Sequence, residues 1–412
     1  MAAGLDLRNL LLLSSGLALG SAGVGMVVLV GGIVGSRLAP SPAWSTLPVA
    51  AMVVGLAASS APAALLMKRI GRRPGFLLGA ALAIVASGLG ALAMVRESFV
   101  LLCAGTALIG ANGAFVNQYR FAAVESADEA RAGKAVSLVL AGGVVAGLLG
   151  PLLGRLGKDW FAAAPFAGSF LLAAFLYAAC APLLFFLREP RGAARQPEVA
   201  RQPEAARPLR AILAQPQALA ALLAGIVSFA VMTFSMTAAP VSMHVLDHHS
   251  VNQAGFVIQS HIVAMYLPSF FTGFLLGRLG LGRVMLLGVL LLAASSGVTL
   301  LGGRLLHYWT ALVLLGLGWN FLFLGGTTLL TRSYRPEERF QVQGVNDFLV
   351  FGFQAAASLL SGTALFGLGW KALNLLNLPL LALMLAVLLV MQVSLRASPL
   401  SPGSPVRRSR PR

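Results

Sequence analysis

Residues 64–73 read Ala64-Leu65-Leu66-Met67-Lys68-Arg69-Ile70-Gly71-Arg72-Arg73, and residues 273–280 read Gly273-Phe274-Leu275-Leu276-Gly277-Arg278-Leu279-Gly280. Each stretch closes an apolar segment on a basic turn, and the two align on Arg-x-Gly. The first follows the second long apolar segment of the chain, and the other follows the eighth. A turn that recurs six segments later marks a duplicated six-helix unit. Twelve apolar segments are legible, at roughly 9–35, 46–67, 75–95, 98–121, 134–154, 164–187, 217–244, 253–276, 283–303, 308–331, 343–366 and 372–395. Each is long enough for a bilayer crossing, which takes about 20 apolar residues.

The composition agrees. Of 412 residues, 58% are hydrophobic and 10% charged, against about 25% charged in soluble domains. Mean hydropathy is +0.85. A soluble enzyme, a secreted disulfide scaffold and a disordered chain are all excluded. The fold expected is an all-α polytopic membrane protein: twelve transmembrane helices in two pseudo-symmetric six-helix bundles, residues 1–187 and 213–395. A cytoplasmic linker, 188–212, joins them. It holds a short duplication, Arg195-Gln196-Pro197-Glu198 and Arg201-Gln202-Pro203-Glu204. Residues 396–412 form a basic cytoplasmic tail, expected to be disordered from its composition.

Net charge is +17. In a membrane protein such an excess sets topology and meets anionic lipid, so nucleic acid is not an expected partner. With the amino terminus in the cytoplasm, only Arg37, Arg96, Arg155, Lys158, Arg304 and Lys371 of the 30 lysines and arginines face outward. That asymmetry places both termini in the cytoplasm by the positive-inside rule. Four of five tryptophans, Trp44, Trp160, Trp309 and Trp370, fall at the outer interface, where amphipathic rings collect. No nucleophile–base pair or nucleotide loop suggests an enzyme. The cysteines, Cys103 and Cys180, lie in apolar segments and imply no disulfide framework.

None of the thirteen acidic residues falls at mid-depth. Glu125 lies just past the fourth span and Asp347 near the inner end of the eleventh. Arg69, Arg120, Asp347 and Arg278 are candidates for a cytoplasmic gate, although an arginine at such a position also snorkels to the interface.

Four of the five histidines and four of the twelve methionines lie between Met232 and Met265. Met232 and Met236 share a face of the seventh span, and His261 and Met265 share a face of the eighth. All four fall near mid-depth. Thioethers and imidazole suit Cu(I), and a monovalent soft ion matches the missing carboxylates. Met243, His244, His248 and His249 would then form an entrance relay. The plainer alternative is that methionines fill gaps in an apolar core and that His261 bonds a neighbouring helix.

The loop after the second span resembles the signature G-x-x-x-D-R-x-G-R-R of the major facilitator superfamily, with Lys68 at its acidic position and Gly277 there in the repeat. Gly150-Pro151-x-x-Gly154 in the fifth span is similar to part of a second motif of that superfamily. M-x-x-x-M followed by H-x-x-x-M resembles the CcoA-like copper importers, the CalT group. The resemblance implies Met232, Met236, His261 and Met265 as copper ligands. It also implies import of copper, as Cu(I), through a bacterial inner membrane by alternating access, for assembly of haem–copper oxidases. The partners expected on that reading are the copper ion as cargo, the lipid bilayer and a cytoplasmic copper chaperone, for a monomer without a resident cofactor. The rival expectation is a facilitator of a small organic solute in which the Met/His cluster only packs the cavity. Asn117-Gln118-Tyr119-Arg120-Phe121-Ala122 and Gly318-Trp319-Asn320-Phe321 are similar to segments of a wider set of bacterial facilitators.

Overall fold

The structure, a computed structural model, describes residues 6–127, 132–188, 207–335 and 338–397. The tail and most of the linker lie outside the described residues. All regular structure among the described residues is helical. Eleven stretches are long and apolar enough to cross a bilayer, and the last, Gln341–Met391, runs 51 residues. At 1.5 Å per residue that is about 75 Å, more than twice a hydrocarbon core of about 30 Å. It holds two spans. The helix Arg339–Leu375 leaves helical geometry at Gly369, where φ is 82° and ψ 168°, a conformation that glycine tolerates. The helix Leu378–Ala397 follows. Twelve crossings result, as the sequence predicts.

The first bundle holds spans one (Leu7–Leu38), two (Pro42–Ile70), three (Arg72–Val95) and four (Phe99–Ala123). Spans five (Ala132–Leu156) and six (Ala167–Phe185) complete it. The second holds spans seven (Pro216–Leu246), eight (Val251–Thr272), nine (Leu281–Leu301) and ten (Leu305–Thr331), with eleven and twelve on either side of Gly369. Span two packs on four, three on four and one on five. These pairings recur as eight on ten, nine on ten and seven on eleven. Small residues permit the closest approaches. A side chain at Gly110 would run into the Met52 carbonyl of span two, so backbones touch where a larger residue would hold them apart.

The bundles meet where span one packs on seven, five on eight, and two on eleven. The seam is dense in the half farther from the linker, the outer half in the orientation expected from the basic residues. Gly362 of span eleven abuts Ala43 and Thr46, and Gly32 of span one abuts Val241. Arg155 Nη2 donates to Gln259 Oε1 at 3.0 Å, and Gln259 Nε2 to the Leu148 carbonyl at 2.7 Å. At the inner edge of this closure Ile262 of span eight sits against Gly25 and Gly147. Inward of Ile262, spans one and five border a groove of about 360 Å³ lined by Ser14, Ser15, Ala18, Leu19, Ala141, Gly142 and Val145.

Outside the hydrocarbon, the end of the linker is clasped to the turn before span eleven. Glu338, 2% exposed, receives Arg207 Nε at 2.9 Å and Nη2 at 2.7 Å, and the Arg335 N–H at 2.9 Å. These hydrogen bonds, the Arg207 guanidinium first, hold its carboxyl down at about 2. A depressed carboxylate stabilises the fold fully above its ordinary range near 4.5 and loses that contribution as pH falls toward 2. Glu338→Gln should therefore lower the thermal unfolding midpoint at pH 7 and shrink the gap between the two proteins at about pH 2.5. An equal gap at both pH values would show that the clasp contributes nothing through its charge.

Candidate functional site

Met232, Met236 and Met265 are buried in one continuous apolar core. Their helices do not chiefly face each other: span seven packs on ten and eleven, and span eight on ten and five. His261 is fully buried, and its Nδ1–H donates to the Leu312 carbonyl of span ten at 2.7 Å. Its imidazole is thus a helix-to-helix tie, and its Nε2 is buried without a hydrogen-bond partner. Among the described residues no group of three or more histidine, cysteine or acidic side chains could hold a metal ion.

The outer histidines knit a turn together. His244 Nδ1–H donates to the His249 carbonyl at 2.8 Å, and His249 Nε2–H to the Gly303 carbonyl at 2.7 Å. The His249 ring stands edge-on to Tyr308, whose hydroxyl donates to Asp247 at 2.8 Å. His248 is exposed, with φ of 55°, and Met243 is fully buried. The gate residues stay apart as well. Arg69 is exposed at the end of span two. Arg120 lies over the Phe121 ring at 4.8 Å, and Arg278 over Phe274 at 6.0 Å. Asp347 accepts from Asn346 at 3.2 Å. No ion pair joins Arg120 and Asp347 among the described residues. The Glu125 side chain lies outside what is described.

A different group gathers at mid-depth. Phe229 of span seven lies 5.2 Å from Trp319 and 5.1 Å from Phe323 of span ten, both edge-on. It also lies 6.0 Å from Phe351 of span eleven. Trp319 stacks on Phe323 at 5.0 Å and 20°, and Tyr266 of span eight meets Trp319 at 6.1 Å. Four helices thus contribute five rings to one patch.

The patch lies beside the seam, with rings on spans eight and eleven, which pack against the first bundle. Tyr266 is one turn inward of Ile262, on the face that meets Gly25 and Gly147, because residues four apart share a helix face. It is 37% exposed. On span eleven, Asp347, Phe351, Gln354, Ser358 and Gly362 follow each other at helical spacing, and Gly362 is already against Ala43 and Thr46. Phe351 and Gln354 therefore border the same gap further in. Asn320 fixes the arrangement. Its Nδ2 donates to the Met265 carbonyl at 2.7 Å and to Ser269 Oγ at 2.6 Å, while Thr272 donates to its Oδ1 at 2.8 Å. Span eight breaks between Tyr266 and Ser269, and Asn320 ties that break to span ten beside Trp319.

Sequence reasoning missed the five rings. One signal was available: Trp319 is the tryptophan that does not fall at the outer interface, and mid-depth is where a belt residue does not belong. Chemically, the patch offers flat polarizable faces with few charges. It suits a planar organic ring, held by stacking and dispersion, better than an ion.

The comparisons with known proteins bear on the whole chain. The Major Facilitator Superfamily model matches residues 10–245 and 221–411. The chain is 41% identical over 383 residues to the riboflavin transporter RfnT of Brucella anthropi, covering 93% of this chain and 95% of that one. It is 31% identical to the uncharacterized MFS-type transporter YdeG of Bacillus subtilis, over 90% of this chain and 88% of that one. Among solved structures, a point variant of the nucleoside transporter NupG superposes with a TM-score of 0.70 at 14% identity, over 93% of this chain and 99% of that one. These relatives are transporters, not enzymes. They overturn the expectation of copper import and of supply to haem–copper oxidases, because a relative similar along nearly the whole chain carries an organic solute. The span pattern, the duplicated loop, the paired bundles and these matches converge: the chain is a multi-pass membrane protein that belongs to the major facilitator superfamily.

Proposed function

We propose that the chain transports a small planar organic solute of the riboflavin class by alternating access, with the five-ring patch as its central site. The observation that carries this reading is the convergence of Phe229, Tyr266, Trp319, Phe323 and Phe351 at mid-depth on the gap between the bundles. The tricyclic ring of riboflavin is flat, uncharged and polarizable, and stacking on aromatic side chains needs no counter-charge. A neutral cargo also accounts for thirteen acidic residues that all avoid mid-depth. The polyhydroxylated side chain of such a solute would reach the groove across the gap, where Ser14 and Ser15 offer hydroxyls. Met232, Met236 and Met265 belong to the packed core around the patch, as polarizable fillers. No resident cofactor is required, and a single chain in lipid suffices.

The orientation proposed is that of a bacterial inner membrane with both termini in the cytoplasm, from the outward scarcity of basic residues. The dense half of the seam is then the periplasmic closure, and the described state opens inward.

Proteoliposomes loaded with purified protein should take up labelled riboflavin. Stacking of one ring is worth about 1–3 kcal/mol, so Trp319→Leu should weaken half-saturation by about fivefold to 150-fold, and Trp319→Phe by much less. Uptake indifferent to Trp319→Leu would remove the patch from the site, and absence of riboflavin flux would remove the substrate class.

Topology has its own check. In a variant lacking Cys103 and Cys180, Ser41→Cys should react with a membrane-impermeant maleimide in intact cells, whereas Leu279→Cys should react only after lysis. The opposite pattern would turn the protein over in the membrane.

A further inference from the structure

Most polar side chains of the second bundle at mid-depth are matched. Ser358 Oγ lies 3.3 Å from Thr237 Oγ1, joining spans eleven and seven. Ser235 donates to Asn374 at 2.8 Å and accepts from Asn377 at 2.9 Å. Asn320 is engaged at both ends of its amide. Gln354 is an exception, as are His261 Nε2 and Ser361 Oγ. Gln354 Oε1 is shielded from solvent and has no hydrogen-bond partner. Trp319 Nε1, in a side chain 95% buried, is likewise unpartnered. The protein matches neither atom, so each has hydrogen-bonding capacity to give a ligand atom of opposite character.

Position gives these two atoms their meaning. Gln354 lies one turn outward of Phe351, which meets Phe229 at 6.0 Å, and one turn inward of Ser358, which meets Thr237. It therefore stands on the seam of spans seven and eleven, at the outer rim of the aromatic patch. A carboxamide presents one acceptor oxygen beside one N–H donor in a single plane. Its complement is a ring N–H beside a ring carbonyl, the edge of a cyclic imide.

Building on the planar-solute reading, we propose that Gln354 is a specificity-determining residue that recognises the imide edge of the bound ring. The Gln354 Oε1 accepts from the ring N–H, and the Nε2–H donates to the adjacent ring carbonyl. Trp319 Nε1 supplies a second donor toward a ring acceptor. In riboflavin the imide is the N3–H flanked by the C2 and C4 carbonyls. Selection then rests on a polar edge, which discriminates more sharply than an apolar pocket does, because an analogue that cannot pair leaves the protein atom buried and unmatched.

The test uses full-length protein in nanodiscs, with riboflavin and its N3-methyl derivative as probes and flavin fluorescence as the readout. A methyl group at N3 removes the donor and leaves the stacking face intact. Wild-type protein should bind the methylated flavin about tenfold more weakly or worse, the scale of losing one hydrogen bond and stranding its acceptor. Gln354→Leu should weaken riboflavin by a similar factor and bring the two flavins within about twofold of each other, the non-additivity expected of partners in direct contact. Equal binding of both flavins by the wild type would overturn the assignment of Gln354 and leave the planar-solute reading standing. Failure of the wild type to bind either flavin would overturn both. The wild-type comparison needs no variant, so it decides even where Gln354→Leu does not fold.

Discussion

A hydrogen-bonding group inside a lipid-embedded bundle has no water to fall back on, and much of this structure follows from that. Span one breaks at Ser21, between helices ending at Gly20 and starting at Ala22. The Gly20 carbonyl is taken by Asn112 Nδ2 of span four at 3.1 Å. The break in span eight is held by Asn320, and Ser295 of span nine donates to the Ala311 carbonyl of span ten at 2.7 Å. Each tie fixes the rotation of one helix against another, which decides the side chains that meet at the centre. Gln354 Oε1 and Trp319 Nε1 are among the buried atoms left over once the ties are made, and both stand beside the aromatic patch.

The twelve spans were legible because crossing length is an absolute requirement and leaves a block of apolar residues wherever it is met. The pseudo-symmetry was legible in one loop, where Arg69 and Arg278 keep the same place in their halves. The breaks were not. Segment 9–35 reads as one helix because leucine, alanine, glycine and serine run through position 21 without a change of hydropathy. Its interruption is made with Asn112, a partner 92 residues away in sequence, and no local pattern reports that.

The proposed site was legible only in part, for a geometric reason. Spacing by four tells which residues share a face, as with Met232 and Met236 or His261 and Met265. It does not tell which neighbour that face is turned to. Helices seven and eight do carry these residues near the middle of the membrane, yet His261 turns to the Leu312 carbonyl. The rings that do converge come from positions 229, 266, 319, 323 and 351, on four helices. Phe229 stands three residues from Met232, and Tyr266 follows Met265, so the sulfur and imidazole motifs lie on the same helices as the proposed aromatic site, while the copper chemistry they suggested is overturned.

Ile262 against Gly25 and Gly147 closes the middle of the seam by shape alone. Displacing one elementary charge through a potential of about 100 mV changes the energy by about 2.3 kcal/mol. A branched hydrocarbon leaving a notch between two glycines displaces none. This part of the closure is therefore electrically silent. The membrane voltage neither latches nor releases it, and its equilibrium answers to packing volume and to whatever fills the space beneath it.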